Sequence, residues 1–456
     1  MSRTSLPHPD SDEDGIESST GSSAEHRAAS ILARISPPEF PGRVLDVTDF
    51  GAVGDGRTDC TAALAGAIAA CTAAGGGRVL VPAGRFRTGA LHLLDNVDLH
   101  LAEGAVLAFS QDPRDYLPPV RTRYEGVDCY NYSPFLYAHG RRNIAVTGAG
   151  VVDGGADAEH WWNWVKAPAP HEGPAKQRLI AAAAEGVPLQ QRVFGAGDNL
   201  RPNLLQFVDC ANVLIEGVTF RRSPMWTIHP LRCRNVTVRG VLVDSHGPNN
   251  DGCNPESCRD VLIEDCTFDT GDDCIAVKAA KGPDGWHPEE ATVGVVVRDC
   301  RMRAGHGGVT IGSEASGGVQ DVVAYRCRMS SPDLGRALRI KTNAERGGYI
   351  RDVLFADIEV GEVRTAVLEI ALDYGRVIEG GHPPEVCDIE VQQVRADSAG
   401  CGLRLIGLAQ APIRRLRLRD FTAGQVAGPD VIEHVVDSVG VVVGVGVGEA
   451  EQLRER

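Results

Sequence analysis

Val261-Leu262-Ile263-Glu264-Asp265-Cys266-Thr267-Phe268 carries apolar residues at its first, third, sixth and eighth places, and near-copies of this stretch decide the fold. The same spacing recurs in Val213-Ile215-Val218-Phe220 and in Val295-Val297-Cys300-Met302. Ten approximate copies begin at Val97, Ile144, Val213, Val236, Val261, Val295, Val322, Val353, Ile389 and Leu416. From Val213 onward they are 23, 25, 34, 27, 31, 36 and 27 residues apart, which suits one solenoid coil per copy with loop insertions. Leucine-rich repeats share the interval but need a leucine-rich consensus, and propeller blades need ~40 residues, so the pattern predicts an all-β parallel β-helix. Such a core grows along one axis, and the length of 456 residues therefore does not require several domains.

The cysteines follow the repeat. Cys266, Cys300 and Cys327 hold the sixth place, where Val218, Val241, Ile358 and Val394 stand in other copies, so cysteine replaces a small hydrophobe. A Cys266–Cys300 bridge is within reach of stacked coils but not required, and a reduced core is the expectation. The thirteen cysteines form no zinc-ligand spacing, and no metal or other cofactor is implied.

Residues 1–42, rich in Ser, Glu, Asp, Pro and Gly without apolar period, read as a disordered leader; 43–436 read as the β-helix and 437–456 as a Val/Gly-rich tail or extra edge strand. Between Gly56 and Gly75 an Ala-rich helix, N-capped by Thr58 or Asp59, is expected to cover the open end of the core. A net charge of −15 argues against a nucleic-acid or anionic-membrane partner. No signal-peptide pattern and no run of ~18 apolar residues is present, so a soluble cytoplasmic protein is the expectation.

The turns after three successive copies hold Asn250-Asp251-Gly252-Cys253, Gly271-Asp272-Asp273-Cys274 and Gly305-His306-Gly307-Gly308. Asp272 and His306 share the same 11-residue offset from Val261 and Val295 and should stack. Asp251 starts an Asp-x-Cys match to Asp272-Asp273-Cys274, which suggests an equivalent place after a longer turn. In Ala337-Leu338-Arg339-Ile340-Lys341, strand alternation turns Leu338 and Ile340 inward and both cations outward, and the same register points Lys278 out toward the rim. A single Asp in a turn is commonly structural, because it accepts backbone hydrogen bonds. Three beside an imidazole and two cations suit glycoside hydrolysis, in which one carboxyl donates a proton and another, ionised, activates water or attacks carbon. Arg339 and Lys341 could hold a sugar carboxylate.

These segments, with Asp49-Phe-Gly-Ala-Val-Gly-Asp-Gly-Arg-Thr-Asp59 and Asn249-Asn250-Asp251, resemble glycoside hydrolase family 28, the polygalacturonases, over residues 43 to 425. Asn250 stands where the family usually has Thr. The resemblance implies a right-handed, pectin-lyase-like solenoid and an inverting hydrolase of α-1,4-linked galacturonate in oligogalacturonides or pectic polysaccharide. It implies Asp272 as general acid, Asp251 and Asp273 as activators of water, and His306 as support for the acid. It also implies Asn249, Arg339, Lys341 and Tyr374 at the substrate.

The long insertion before Val213 holds Trp161-Trp162-Asn163-Trp164, which could stack on sugars or anchor the insertion. With Tyr130-Asn131-Tyr132-Ser133-Pro134 and Ser223-Pro224-Met225-Trp226 it is similar to exo-acting members, and exo action is the expectation. The alternatives are a Ca-dependent pectate lyase, a hydrolase of rhamnogalacturonan or xylogalacturonan, and a noncatalytic carbohydrate-binding β-helix.

Overall fold

The computed structural model describes residues 23–444, apart from 167 and 169, and the backbone of 451–452. Its strands wind into a solenoid of three parallel faces. On the first face all ten copy positions stand in one column, Val97↔Ile144↔Val213↔Val236↔Val261↔Val295↔Val322↔Val353↔Ile389↔Leu416. The second face continues each coil, as in Leu242–Ser245 and Thr267–Thr270. The third carries Leu205–Val208, Ile228–Leu231, Ile275–Val277, Val309–Gly312 and Arg336–Lys341.

The apolar spacing has a backbone cause. Strand alternation sends the first and third places inward; the corner at the fifth then shifts the parity, so that the sixth and eighth point in again. Gly217, Gly240, Asp265, Asp299, Arg326 and Asp357 hold this corner at positive φ. A second left-handed corner precedes the first apolar place and is filled by residues that tolerate it, chiefly Asn and Asp. Asn143, Asn212 and Asn235 each donate to the asparagine one coil earlier at 2.8 Å, beginning at Asn96.

The capping helix forms as Thr61–Ala73 and buries Leu64, Ala67, Ile68 and Cys71. The N-cap is neither Thr58 nor Asp59 but Cys60, whose side chain makes no cap bond; Asp59, one residue earlier, accepts the Thr61 amide at 3.0 Å. All thirteen cysteines are free and buried, in keeping with the reduced core.

The leader differs from expectation. Residues 23–42 are ordered: Ser23–Leu32 is a helix whose Ala24, Ala28 and Ile31 pack on Leu262, Val296, Val323 and Leu354. Those four occupy the outward second place of their copies, so the outer wall is apolar there and needs a cover. Arg34 to Asp260 at 2.7 Å and Arg326 to Glu25 at 2.5 Å fix the helix in place. Residues 1–22 lie outside the described residues. At the other end Val439–Gly444 pairs in parallel with the strand Ile413–Val426, so the last coil runs past 436; most of the remaining tail lies outside the described residues.

Candidate active site

The third face sets the site. Cys253 pairs with Ile275, Ile275 with Val309 and Val309 with Leu338, so the turns entering this face stack in register. His306 donates its backbone N–H to Asp272 O at 3.1 Å, and its Nδ1 lies 2.9 Å from Asp272 Oδ1, as the shared offset predicts. Asp251 is one residue out of step with its Asp-x-Cys match. The Gly252 amide donates to Asp273 O at 3.0 Å, which sets Asp251 level with Asp273 rather than with Asp272. The three aspartates still converge, with one oxygen from each within 4.8 Å of the others.

Gly307 leaves room for this cluster: a Cβ there would stand 2.3 Å from Thr310 Oγ1 and 2.9 Å from Asp273 Oδ1. Leu338 and Ile340 are in the core, whereas Arg339 and Lys341 face the aspartates. Lys341 Nζ is 2.7 Å from Asp273 Oδ2 and Arg339 Nη1 is 3.4 Å from Oδ1. Tyr374 closes over both cations, with its ring centre 5.3 Å from Lys341 Nζ and 5.9 Å from the Arg339 guanidinium carbon. Asn249, left-handed at φ 55°, gives its side-chain oxygen to buried Arg201 at 2.7 Å, so that oxygen holds the turn in place. Lys278 is in the floor, not on the rim: it is buried, 2.8 Å from Glu314 and 3.7 Å from Asp251 Oδ2.

These surroundings separate the carboxyls. Burial, followed by the charge of Asp272, pushes Asp251 well above the usual carboxylate range, against the pull of Lys278. Burial acts on Asp273 in the same sense, but Lys341, Arg339 and Lys278 together outweigh it and hold that carboxyl below the range. The hydrogen bond to Asp272 raises His306 against its burial. The group pushed toward its protonated form in the free site is thus the buried Asp251, although the resemblance implies Asp272 as donor.

Three carboxylates this close could bind a cation, but Lys341 and Lys278 already supply positive charge to Asp273 and Asp251.

Several supporting residues were not picked out from the sequence. Glu369 holds Arg339 at 2.9 Å and could have been read from the outward alternation of Leu368-Glu369-Ile370, since it pairs with Arg339 across the strands. Asn254 donates to Asp251 Oδ2 at 2.8 Å, and Arg201 ties Glu172 to the turn at Pro248 and Asn249.

The insertion and a neighbouring hairpin pack beside the site. Trp161 is buried against Tyr116 and Phe135, and Trp162 donates to Ser223 O at 2.8 Å, so both anchor the insertion. The hairpin Val120–Tyr124/Val127–Asn131 and the helix Gly173–Ala184 share an apolar cluster with Trp226. The hairpin tip docks beside the site, where Gly126 O accepts the Lys281 amide at 2.9 Å.

The model of glycosyl hydrolases family 28 matches residues 194–409, which span every catalytic candidate. A solved exopolygalacturonase of Thermotoga maritima, described as hyperthermoactive, is 38% identical, with a TM-score of 0.89 over 94% of this chain and 100% of that one. The chain belongs to glycosyl hydrolases family 28. Two further relatives agree with membership of family 28. An exo-poly-alpha-D-galacturonosidase of Dickeya chrysanthemi is 30% identical over 73% of this chain and 57% of its own length. A "Probable polygalacturonase" of Vitis vinifera is 29% identical over 82% of this chain and 73% of its own. As a family 28 protein the chain is a glycoside hydrolase, and its solenoid is the right-handed, pectin-lyase-like one that the resemblance implies.

Proposed function

We propose that the chain hydrolyses α-1,4 linkages of galacturonides from the chain end, with inversion. The observation that carries this reading is the divided carboxyl cluster, Asp251 kept protonated and Asp273 kept ionised on either side of a common space, with Arg339 and Lys341 at its edge. Both Asp273 oxygens are engaged by cations, which keeps the carboxylate ionised and fixed in place, where it can orient a water and accept its hydrogen bond. Asp251 is enclosed by Asn254 and Lys278, whereas Asp272 borders solvent beside His306. Asp272 therefore delivers a proton to the leaving oxygen, and His306, whose Nδ1 lies 2.9 Å from Asp272 Oδ1, returns one to it. The hairpin and the insertion, packed beside the site, confine substrate to its end.

The test is incubation with defined saturated oligogalacturonides, following product length and anomer by NMR. Monomer or dimer of inverted configuration is expected from the first turnovers, and Asp272→Asn should lower kcat by roughly 10²- to 10⁴-fold. Mid-length products would overturn end attack. Unsaturated products absorbing in the near ultraviolet, with activity lost to a chelator, would mean a lyase instead.

A further inference from the structure

Lys281 and Arg346 lie where the hairpin tip meets the site floor formed by Lys278 and Glu314. Contact with the hairpin fixes Lys281: a Cβ on Gly126 would stand 2.6 Å from Lys281 Cβ and 2.8 Å from Glu314 Cγ. The Arg346 main chain is fixed by Trp286, whose indole N–H donates to Arg346 O at 3.0 Å. The acids nearby are hydrogen-bonded to other cations, Glu314 to Lys278 at 2.8 Å and Glu125 to Lys176 at 2.6 Å, although the Glu314 charge also acts on Arg346 and Lys281. Neither Lys281 nor Arg346 forms an ion pair among the described residues, and Arg346 Nε is buried without a hydrogen-bond partner. Burial, and then the charge of Arg346, lowers the Lys281 ammonium, a strain that a bound anion would relieve. Two cations that outnumber the acids around them, neither in an ion pair and one with a buried N–H lacking a partner, mark a place for an anionic group.

We propose that Lys281 and Arg346 form a second carboxylate clamp that receives the terminal uronate, while Arg339 and Lys341 hold its neighbour. This rests on the galacturonide reading above and adds to it the means of recognising the end: a free carboxylate on the residue to be released.

Steady-state kinetics of wild type, Lys281→Gln, Arg346→Gln and Lys281→Arg test it. Two substrates are used, trigalacturonate and the same trimer methyl-esterified only on the residue that wild type releases. Each Gln variant should raise KM for the free acid roughly 10- to 100-fold with a smaller effect on kcat. Wild type should discriminate against the ester by a similar factor, both Gln variants should lose that discrimination, and Lys281→Arg should keep it. A merely structural role would not remove discrimination between two substrates. Neither cation loses an ion pair when replaced, and Glu314 keeps Lys278, so the variants should fold, and either alone suffices. Unchanged KM and retained discrimination in an active enzyme overturn the second clamp. A wild type inert on every galacturonide overturns the proposed function and the clamp with it.

Discussion

Asp251 and Asp273 lie level on neighbouring coils, yet the same substitution should act on them in opposite senses. A carboxyl held above its unfolded value of about 3.9 costs stability once the pH exceeds that value, and the cost disappears below it. Asp251→Asn keeps the shape and the bond from Asn254 and leaves Lys278 with Glu314. It should raise the melting temperature at pH 7, with the gain vanishing near pH 3.5, while turnover is lost. Asp273 is held below its unfolded value, so its contribution is present above about pH 3.9 and is lost as the pH falls through the lowered folded value. Asp273→Asn leaves Lys341 and Arg339 without their partner and should cost about 3–5 kcal/mol at pH 7. Thermal melts of both variants at pH 7 and 3.5 check the signs.

Among the elements, the turn Gly305-His306-Gly307-Gly308 depends on an absent side chain. Gly307→Ala would drive a methyl into Thr310 and toward Asp273, so kcat should fall at least 10-fold. A smaller effect, measured on trigalacturonate, would show that the turn has room to give. The helix Ser23–Leu32 makes the complementary case. Ala28→Glu would bury a charge against the first face and should lower the melting temperature, while the third-face site keeps its kcat. The apolar columns were legible because each copy repeats the same two inward pairs. This helix was missed because Ala24, Ala28 and Ile31 gain meaning only once Leu262, Val296, Val323 and Leu354 are seen to face outward together. Asp251 was placed one residue off because a motif match does not reveal how its longer turn enters the sheet. Lys278 was given the right direction but the wrong depth, since Trp226, whose ring centre lies 4.5 Å from its ammonium, and Glu314 come from distant sequence.

For the whole molecule, ten of the thirteen thiols lie in the main core, Cys129 lies in the cluster with Trp226, and Cys387 and Cys401 are buried outside both. Native protein should show no fast-reacting thiol, and denatured protein all thirteen, in a titration with a chromogenic disulfide. Charge acts at two ranges here: the net −15 repels an anionic polymer from afar, while Arg339 and Lys341 attract it at contact. Composition showed the first and register the second. The packing of hairpin and insertion beside the site, read as confinement to chain ends, bears on how a polymer solution would change with time. Cutting one residue at a time from each molecule scarcely shortens it, so reducing ends would accumulate while viscosity held almost constant. At equal mass of polymer the initial velocity would scale with the number of molecules, doubling whenever their mean length is halved.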